Sequence, residues 1–240
     1  MQVTDAVAAT LTELGADTVF GVVGSGNFKV TNALIARGAR YVAARHECGA
    51  AVMADAWARM AGRPGILSVH QGPGLTNALT GITEAAKSRT PLVVLAADVA
   101  DAAVRSNFRI DVARLAASVG AAAFRLHSPA FAIDETVRAY RTAVTQRRTV
   151  VLAMPLDVQA GQVQAPGTAP AWPASAVPSP PQADVAALAE ALARARRPVF
   201  IAGRGARIAR ARAALEQLAD RCGALLATSA AAKGLFRSSP

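Results

Sequence analysis

The chain has 240 residues, of which 52% are hydrophobic and 18% charged, and its formal net charge is +10. This length allows one substantial domain and a smaller second one. No apolar run approaches the roughly 20 residues that a membrane span needs, and the first residues lack the basic segment and apolar core of a secretion signal. We therefore expect a cytoplasmic protein without a membrane partner.

The positive charge raises the question of nucleic-acid binding, because clustered Lys and Arg side chains attract phosphate groups. The cationic residues are nearly all arginines, and they are scattered along predicted helices without aromatic residues between them for stacking bases. The densest group lies between Arg194 and Arg212, where a solvated helix face explains it. We expect no nucleic-acid partner.

Helices and strands alternate along the first part of the chain. Val3, Val7, Leu11 and Leu14 recur at helical spacing, and Gly15 ends that helix. The predicted helices are 3–14, 28–36, 47–61, 75–87, 112–118 and 133–146, and the predicted strands are 18–23, 40–44, 66–70, 91–97, 121–126 and 149–154. Strand 91–97 is apolar throughout, as a parallel sheet covered on both faces requires. The pattern predicts an α/β domain with a parallel sheet and helices on both of its faces.

A change in composition predicts three parts. Residues 1–163 form the α/β domain, and the Pro- and Ala-rich segment 164–182 reads as a linker. Residues 183–240 begin a second α/β domain, with a helix through Val185 to Leu192, a strand at 199–202, a helical stripe from Ile208 to Cys222 and a strand at 224–228. Two strands are fewer than the five or six of an average sheet, so we expect this second domain to be truncated.

Glu47 is the most informative candidate for chemistry. It opens the helix 47–61 and is surrounded by small apolar residues. Such surroundings raise the proton affinity of a carboxyl group, whereas a helix N-terminus favours its ionised form. On the same helix, Asp55 and Arg59 are spaced to form an ion pair, which we expect on the solvent side.

The loop that follows the strand 66–70 is a second candidate. Gly72, Pro73 and Gly74 lie between a strand and a helix, where backbone N–H groups can meet a polar ligand, although glycine also serves such turns for conformational reasons alone. His70 ends the strand, and it either contacts a substrate or is a histidine satisfied at a strand end. The three histidines have no helical metal-ligand spacing, and Cys48 and Cys222 read as core thiols, so no metal site is predicted.

Two other glycine turns bear on nucleotide binding. Gly24–Gly26 and Gly203–Gly205 each follow a predicted strand, but the last glycine of the dinucleotide fingerprint is missing from both. A nicotinamide-dependent oxidoreductase is therefore disfavoured.

Taken together, these segments resemble the N-terminal, pyrimidine-binding domain of thiamine-diphosphate-dependent enzymes of the acetolactate synthase, pyruvate oxidase and benzoylformate decarboxylase group. The resemblance covers residues 1–163, and residues 183–237 resemble the start of the central domain of that family. The matching segments are Val19–Gly24, Arg45–Glu47 with Ala50–Arg59, Gly72–Gly74 with Asn77, Pro91–Leu95, Val151–Val158 and Ala232–Phe236.

The resemblance implies a cofactor, thiamine diphosphate, and a role for Glu47. In the family this glutamate binds the ring nitrogen of the aminopyrimidine and promotes the imino tautomer, which removes the thiazolium proton. By the same resemblance, Val23, Gly72, Pro73 and Asn77 line the cofactor cleft, and His70, Gln71 and Arg109 face the substrate. Two chains of the family cross over to form each site, so a homodimer is implied.

Three departures from the family pattern stand in this sequence. Val23 occupies the place of a proline in many relatives, and Arg109 that of a glutamine. No Gly-Asp-Gly motif, which holds magnesium and the diphosphate in the family, occurs in the 240 residues. We therefore expect the chain to be catalytically incomplete unless a further C-terminal domain or another subunit supplies that site.

Two functions follow for testing. The first is the N-terminal part of an acetolactate-synthase-like enzyme that decarboxylates or ligates a small 2-oxo acid, with pyruvate as the expected substrate. The second is a non-catalytic binding or interaction protein that keeps the fold without turnover. FAD, which some relatives bind in the central domain, is not supported by the short part of that domain present here.

Overall fold

A computed structural model describes residues 1–164 and 179–236. The chain divides into two compact units, Met1–Ser175 and Ala176–Pro240. Most of the predicted linker, 164–182, lies outside the described residues. The described helices include none that is long and apolar enough to cross a membrane.

Within residues 1–164, six strands alternate with helices. The strands are β1 Thr18–Gly21, β2 Arg40–Ala43, β3 Gly65–Val69, β4 Leu92–Asp98, β5 Ala122–Arg125 and β6 Thr149–Pro155. The helices are α1 Val3–Glu13, α2 Phe28–Ala36, α3 Glu47–Ala61, α4 Pro73–Lys87, α5 Val112–Ser118, α6 Ala132–Thr145 and α7 Leu156–Ala160. All neighbouring strands pair in parallel, in the order β2-β1-β3-β4-β6-β5.

The sheet separates two apolar clusters. Side chains of α1, α2 and α6 pack in one cluster, which contains Leu11, Leu34 and Tyr140. Side chains of α3, α4 and α5 pack in the other, which contains Ala51, Ile82 and Ala116. The central strands β3, β4 and β6 are buried along their whole length. This confirms the predicted α/β fold with a parallel sheet covered on both faces.

The predicted helices 28–36, 47–61 and 112–118 have the predicted bounds. The other predicted elements of residues 1–164 differ by one residue at one or both ends, except two that differ by two residues at one end. The strand predicted at 18–23 ends at Gly21, because the Asn27 side chain forms hydrogen bonds with the Val22 carbonyl and the Gly24 N–H. The helix predicted from residue 75 begins at Pro73, which suits the first helical position because proline has no N–H to leave unpaired. The short helix α7 was not predicted.

Within the second unit, α8 Gln182–Arg194 and α9 Ala211–Cys222 accompany two parallel strands, β7 Val199–Ala202 and β8 Leu225–Thr228. The helical stripe predicted from Ile208 becomes a helix only at Ala211. The residue before it, Arg210, has a φ of 68°, which no helix continues through.

Candidate functional site

The site predicted from the sequence lies at the carboxyl edge of the sheet, between β1 and β3. From β1 the chain leaves through α2 on one face, and from β3 it leaves through α4 on the other. Where connections part in this way, an open parallel sheet has a crevice at the carboxyl ends of its strands, and ligands bind there. The loops 22–27 and 70–72 border this crevice.

Glu47 is the first residue of α3, directly after β2 and its short connection. His46 caps the helix with extended backbone, and its Nδ1 accepts a hydrogen bond from the Cys48 N–H at 3.1 Å. This cap fixes where the helix starts and therefore where the Glu47 carboxylate stands. Glu47 is half-buried and lies in the first turn of α3.

Gly72 and Pro73 form the start of α4. Gly72 has φ 60° and ψ −106°, a conformation that is open to glycine and strained for other residues. A Cβ atom at Gly72 would also lie 2.6 Å from the carbonyl oxygen of Phe108. Gly72 is therefore required both by its own backbone and by its packing against the loop that follows β4.

The two helices bring Glu47 and Asn77 together. The Asn77 side-chain Nδ2 donates a hydrogen bond of 3.1 Å to Glu47 Oε2. The other carboxylate oxygen, Oε1, has no hydrogen-bond partner within residues 1–164 and 179–236, and a Cβ atom at Gly74 would lie 3.6 Å from it. One oxygen of Glu47 is thus held by the protein while the other stays available.

A close approach of α3 and α4 makes this pairing possible. A Cβ atom at Gly81 in α4 would lie only 2.5 Å from Ala51 Cβ in α3, so the helices touch through small residues. Further along, Arg59 donates to Asp55 at 3.0 Å and to Glu84 of α4 at 2.9 Å. The hydrogen bond from Arg59 holds the pKa of Glu84 below its ordinary value.

The prediction that Asp55 and Arg59 pair on the solvent side is half wrong. They do form the i, i+4 pair, but Asp55 is buried and its partner Arg59 ties α3 to α4. Helical spacing determines which residues can pair, and the neighbouring helix α4 determines which face is covered.

His70 and Gln71 are held against the loop 22–27. His70 Nδ1 accepts a hydrogen bond of 3.1 Å from the Gly26 N–H. Because Nδ1 is an acceptor here, a neutral His70 carries its proton on Nε2. Cβ atoms at Gly24 and Gly26 would come within 2.8 Å of the imidazole Cγ and 1.6 Å of the Gln71 Oε1, so both glycines are needed for this contact.

A buried polar network braces the same loop. Asn27 is fully buried; its side chain accepts from the Gly24 N–H at 2.8 Å and donates to the Val22 carbonyl at 3.1 Å and to Ser68 Oγ at 3.0 Å. Thr31 shares a hydrogen bond of 2.9 Å with the same Ser68 hydroxyl. The amide oxygen of Gln71, by contrast, is buried without a hydrogen-bond partner among the described residues.

The predicted site residues fall into three places. Glu47, Asn77, Gly72 and Pro73 lie at the starts of α3 and α4, and His70 and Gln71 lie against the glycine loop. Val23 projects from that loop and is exposed. Arg109 lines a different cavity, at the ends of β4, β5 and β6. The ring of its neighbour Phe108 nevertheless meets the His70 ring edge-on, with 5.2 Å between the ring centroids.

Sequence reasoning did not assign a role to Asn27, Ser68 or Phe108. Asn27 carried a signal, because an asparagine next to a glycine turn commonly binds nearby backbone groups. Ser68 and Phe108 carried none, since each acts through a partner on a distant segment of the chain. The described residues contain no group of three or more His, Cys, Asp or Glu side chains placed to hold a metal ion.

Two segments of the chain match known family models. Residues 1–116 match the thiamine pyrophosphate enzyme N-terminal TPP binding domain, and residues 185–240 match the central domain of the same enzymes. The chain belongs to the thiamine pyrophosphate enzyme family. The resemblance read from the sequence is thereby confirmed, for the N-terminal domain and for part of the central domain.

Three relatives illustrate the chemistry of this family. The chain is 36% identical over 242 residues to the probable 2-ketoarginine decarboxylase of Pseudomonas aeruginosa. The aligned region covers 96% of this chain and 42% of that protein. It is 30% identical to the catabolic acetolactate synthase of Raoultella terrigena (83% and 36% covered) and 27% identical to the sulfoacetaldehyde acetyltransferase of Alcaligenes xylosoxydans (95% and 38% covered). The chain thus spans about two fifths of the length of these relatives.

The residues at the starts of α3 and α4 fit the cofactor of this family. A pyrimidine ring nitrogen needs one carboxyl oxygen, and Glu47 Oε1 has no other partner among the described residues. A Cβ atom at Gly74 would stand 3.6 Å from that oxygen, so a larger residue at this position would border it.

Proposed function

We propose that this chain is the cofactor-activating, N-terminal part of a thiamine-diphosphate-dependent enzyme that decarboxylates or ligates a 2-oxo acid. The observation that carries the proposal is the Glu47 carboxylate, fixed by Asn77 through one oxygen and open at the other. Membership of the thiamine pyrophosphate enzyme family supports the cofactor. The magnesium and diphosphate site would come from residues outside these 240, because no Gly-Asp-Gly motif occurs among them.

Glu47 is the proton-holding group in this proposal. When bound, thiamine diphosphate would supply a nucleophilic carbon for the substrate carbonyl and an electron sink for the bond that breaks beside it. Glu47 would share a proton with the pyrimidine ring nitrogen through its free oxygen, Oε1, beside which Gly74 places no side chain. Asn77 prevents the carboxylate from rotating, so the free oxygen keeps its direction.

We propose that His70 faces the substrate and that Gln71 supports the loop that carries it. Gly26 fixes the neutral tautomer of His70 that has its proton on Nε2, so this nitrogen can donate a hydrogen bond to a carboxylate or carbonyl oxygen. Gln71 is almost fully buried behind it, so we assign it to shaping the loop that carries His70.

Two substrates are to be compared. Pyruvate follows from the likeness to acetolactate synthase, and 2-ketoarginine follows from the higher identity, 36% against 30%, with the relative that is named for it. Assembly as a homodimer, or with a subunit that carries the diphosphate site, is part of the proposal because chains of this family share their sites.

The first experiment tests cofactor recognition. The 240-residue chain is titrated with thiamine diphosphate and magnesium, and separately with NAD and FAD, by calorimetry. Of these three cofactors, we expect only thiamine diphosphate to bind. Glu47→Gln should weaken its binding by about tenfold, because one hydrogen bond to a charged group is lost. The matched control is Asp134→Asn, which removes an exposed carboxylate from the first turn of α6, on the other face of the sheet.

The second experiment tests the proton role in the complete enzyme, with all its domains present. Glu47→Gln should slow exchange of the thiazolium proton by about a hundredfold or more, as expected when a general acid–base group is lost. An unchanged exchange rate would remove the assigned role. Cofactor binding with normal exchange but no turnover of either 2-oxo acid would favour the non-catalytic binding protein.

A further inference from the structure

A cavity of about 390 Å³ lies at the amino edge of the sheet, where the chain enters β4, β5 and β6. This is the opposite edge from the site around Glu47. The wall of the cavity contains three arginines, Arg89, Arg147 and Arg148, and no carboxylate of the described residues lines it. The cavity is therefore positively charged.

The three guanidinium groups have no partner inside the described part of the molecule. All three arginines are exposed, and none of their side chains forms an ion pair or a hydrogen bond with residues 1–164 or 179–236. The carboxylate nearest to Arg89 in sequence, that of Glu84, is held at 2.9 Å by Arg59 and at 2.9 Å by the Ser88 hydroxyl. Neighbouring like charges repel each other, and an anion in the cavity would relieve this repulsion.

The backbone at two of these arginines is unusual. Arg89 follows the C-cap of α4 and Arg147 that of α6, with φ angles of 52° and 50°. This left-handed conformation favours glycine, because a Cβ atom is crowded there. Helices α1, α2 and α5 do have glycine at the same position, namely Gly15, Gly38 and Gly120. Two helix ends thus carry arginine where glycine would be more stable.

The position of these arginines at helix ends does not explain them. Basic side chains near a helix C-terminus often donate hydrogen bonds to its last carbonyls. Here backbone N–H groups close both helix ends instead: Thr90 donates to the Ala85 carbonyl at 2.9 Å, and Arg148 donates to the Ala143 carbonyl at 3.1 Å. The guanidinium groups are left for another partner.

The two arginine segments are held side by side. The Leu92 N–H donates to the Arg148 carbonyl at 3.4 Å, and the Thr149 hydroxyl donates to the Thr90 carbonyl at 3.1 Å. The backbone that carries the arginines is therefore fixed before any ligand binds, which lowers the cost of ordering the site.

The chemistry of the cavity suits phosphate. A guanidinium presents a planar pair of N–H donors to phosphate oxygens, and arginine is favoured wherever phosphate is recognised. A phosphate chain with a free end concentrates several negative charges in a compact group, so it matches three neighbouring guanidinium groups. We propose that this cavity binds the terminal di- or triphosphate group of a small molecule through Arg89, Arg147 and Arg148.

The probe for this proposal is inorganic tripolyphosphate, without magnesium. The full 240-residue chain is titrated by calorimetry, and amide chemical shifts are followed by ¹H–¹⁵N NMR; citrate and sulfate at matched ionic strength are the comparison anions. We expect tripolyphosphate to bind with a Kd on the order of 0.1 mM at low salt, and about tenfold more tightly than either comparison anion. It should shift the resonances of Gly120, Gln146 and Thr149, which line the cavity.

Glycine variants separate ligand binding from stability. Arg89→Gly and Arg147→Gly should each weaken tripolyphosphate binding by about tenfold, because one guanidinium is lost. Their midpoints of urea unfolding should stay the same or rise, because glycine suits the left-handed backbone. The matched control is Arg210→Gly, since Arg210 is also exposed and has a φ of 68° but does not line the cavity. This control should bind tripolyphosphate like the natural chain.

The site is independent of the proposed role of Glu47, and the two can be tested apart. Glu47→Gln should leave tripolyphosphate binding unchanged. Thiamine diphosphate also ends in a diphosphate, so it should compete for the cavity; cofactor titrations of the combined Arg89→Gly and Arg147→Gly variant report on the Glu47 site alone. In NAD and FAD the phosphates are bridged on both sides and carry less charge, so these molecules should not compete detectably.

Several results would overturn the proposal. They are equally tight binding of citrate or sulfate, undiminished binding by both arginine variants, an equal loss of binding in Arg210→Gly, shifts that centre outside the cavity, or no binding at all. A lower midpoint of unfolding for both Arg89→Gly and Arg147→Gly would also overturn it, because the arginines would then serve the helix ends.

Discussion

Two tyrosines show how differently the same hydroxyl group can be used. Tyr140 is buried against α1 and donates a hydrogen bond of 2.7 Å to the Leu14 carbonyl. The hydroxyl of Tyr41, on β2, is buried without a partner among the described residues. Burial raises the pKa of both tyrosines, because a phenolate would lose its hydration.

We predict opposite effects of removing these hydroxyl groups. Tyr140→Phe should lower the free energy of unfolding by about 1 kcal/mol at neutral pH, because a buried carbonyl loses its donor. Tyr41→Phe should leave the stability unchanged or raise it slightly, because the lost group was unsatisfied. Urea unfolding followed by circular dichroism measures both, and a larger loss for Tyr41→Phe would contradict the assigned contacts.

The pH dependence of Tyr140 follows from its raised pKa. A group with a folded pKa above its unfolded value of about 10 keeps its full contribution below that pH and loses it as the pH rises through the folded pKa. The stability difference between the natural chain and Tyr140→Phe should therefore be constant up to about pH 9 and shrink above about pH 10.

At the scale of elements, the helix pair α3–α4 positions the proposed cofactor group. The sequence predicted the bounds of α3, since its small residues keep helical periodicity and Gly62 ends it, and it singled out Glu47. It did not predict which element the small residues of α3 contact, and in the structure Ala51 packs against Gly81 of α4. Local patterns fix helix ends, whereas a contact between positions 30 residues apart depends on the topology.

A pair of glycine substitutions tests this packing. Gly81→Ala should destabilise the chain by about 1 to 3 kcal/mol despite the better helix propensity of alanine, because its Cβ would lie 2.5 Å from Ala51 Cβ. Gly49→Ala is the matched control in α3, where a Cβ meets nothing within 4 Å, and it should stabilise by up to about 1 kcal/mol.

Thermal and urea unfolding of the two glycine variants give the comparison. If Gly81→Ala proved as stable as Gly49→Ala, the helices would not be in tight contact at this point. The Glu47–Asn77 hydrogen bond would then not depend on the close approach of α3 and α4.

The loops at the sheet edge were less predictable than the helices. The strand predicted through Val23 stops at Gly21, because buried Asn27 binds the backbone on both sides of Val23. Arg109 was assigned to the substrate from the resemblance, and in the structure it lines the cavity beyond Phe108. Secondary-structure propensity predicts neither position. Asn27 also binds Ser68 on β3, 41 residues away, and the segment that carries Arg109 packs against Gly72 through Phe108.

At the scale of the whole molecule, the two units differ in how well they bury apolar surface. In the first, two apolar clusters enclose a six-stranded sheet, and its ends meet where the Val163 N–H donates to the Met1 carbonyl at 2.9 Å. In the second, the described strands form a two-stranded sheet, and Ile201 and Leu225 are 72% and 67% exposed. A two-stranded sheet of this kind is marginal in water.

We predict that residues 1–164 fold alone and residues 179–240 do not. The shorter chain 1–164 should unfold cooperatively in urea at the same midpoint as the corresponding transition of the 240-residue chain, because its clusters and the pairing of its ends stay intact. The chain 179–240 should show no cooperative transition, because its small sheet leaves apolar side chains such as Ile201 and Leu225 exposed. A lower midpoint for 1–164 would mean that the second unit contributes to the stability of the first, and cooperative unfolding of 179–240 would mean that its small sheet is sufficient.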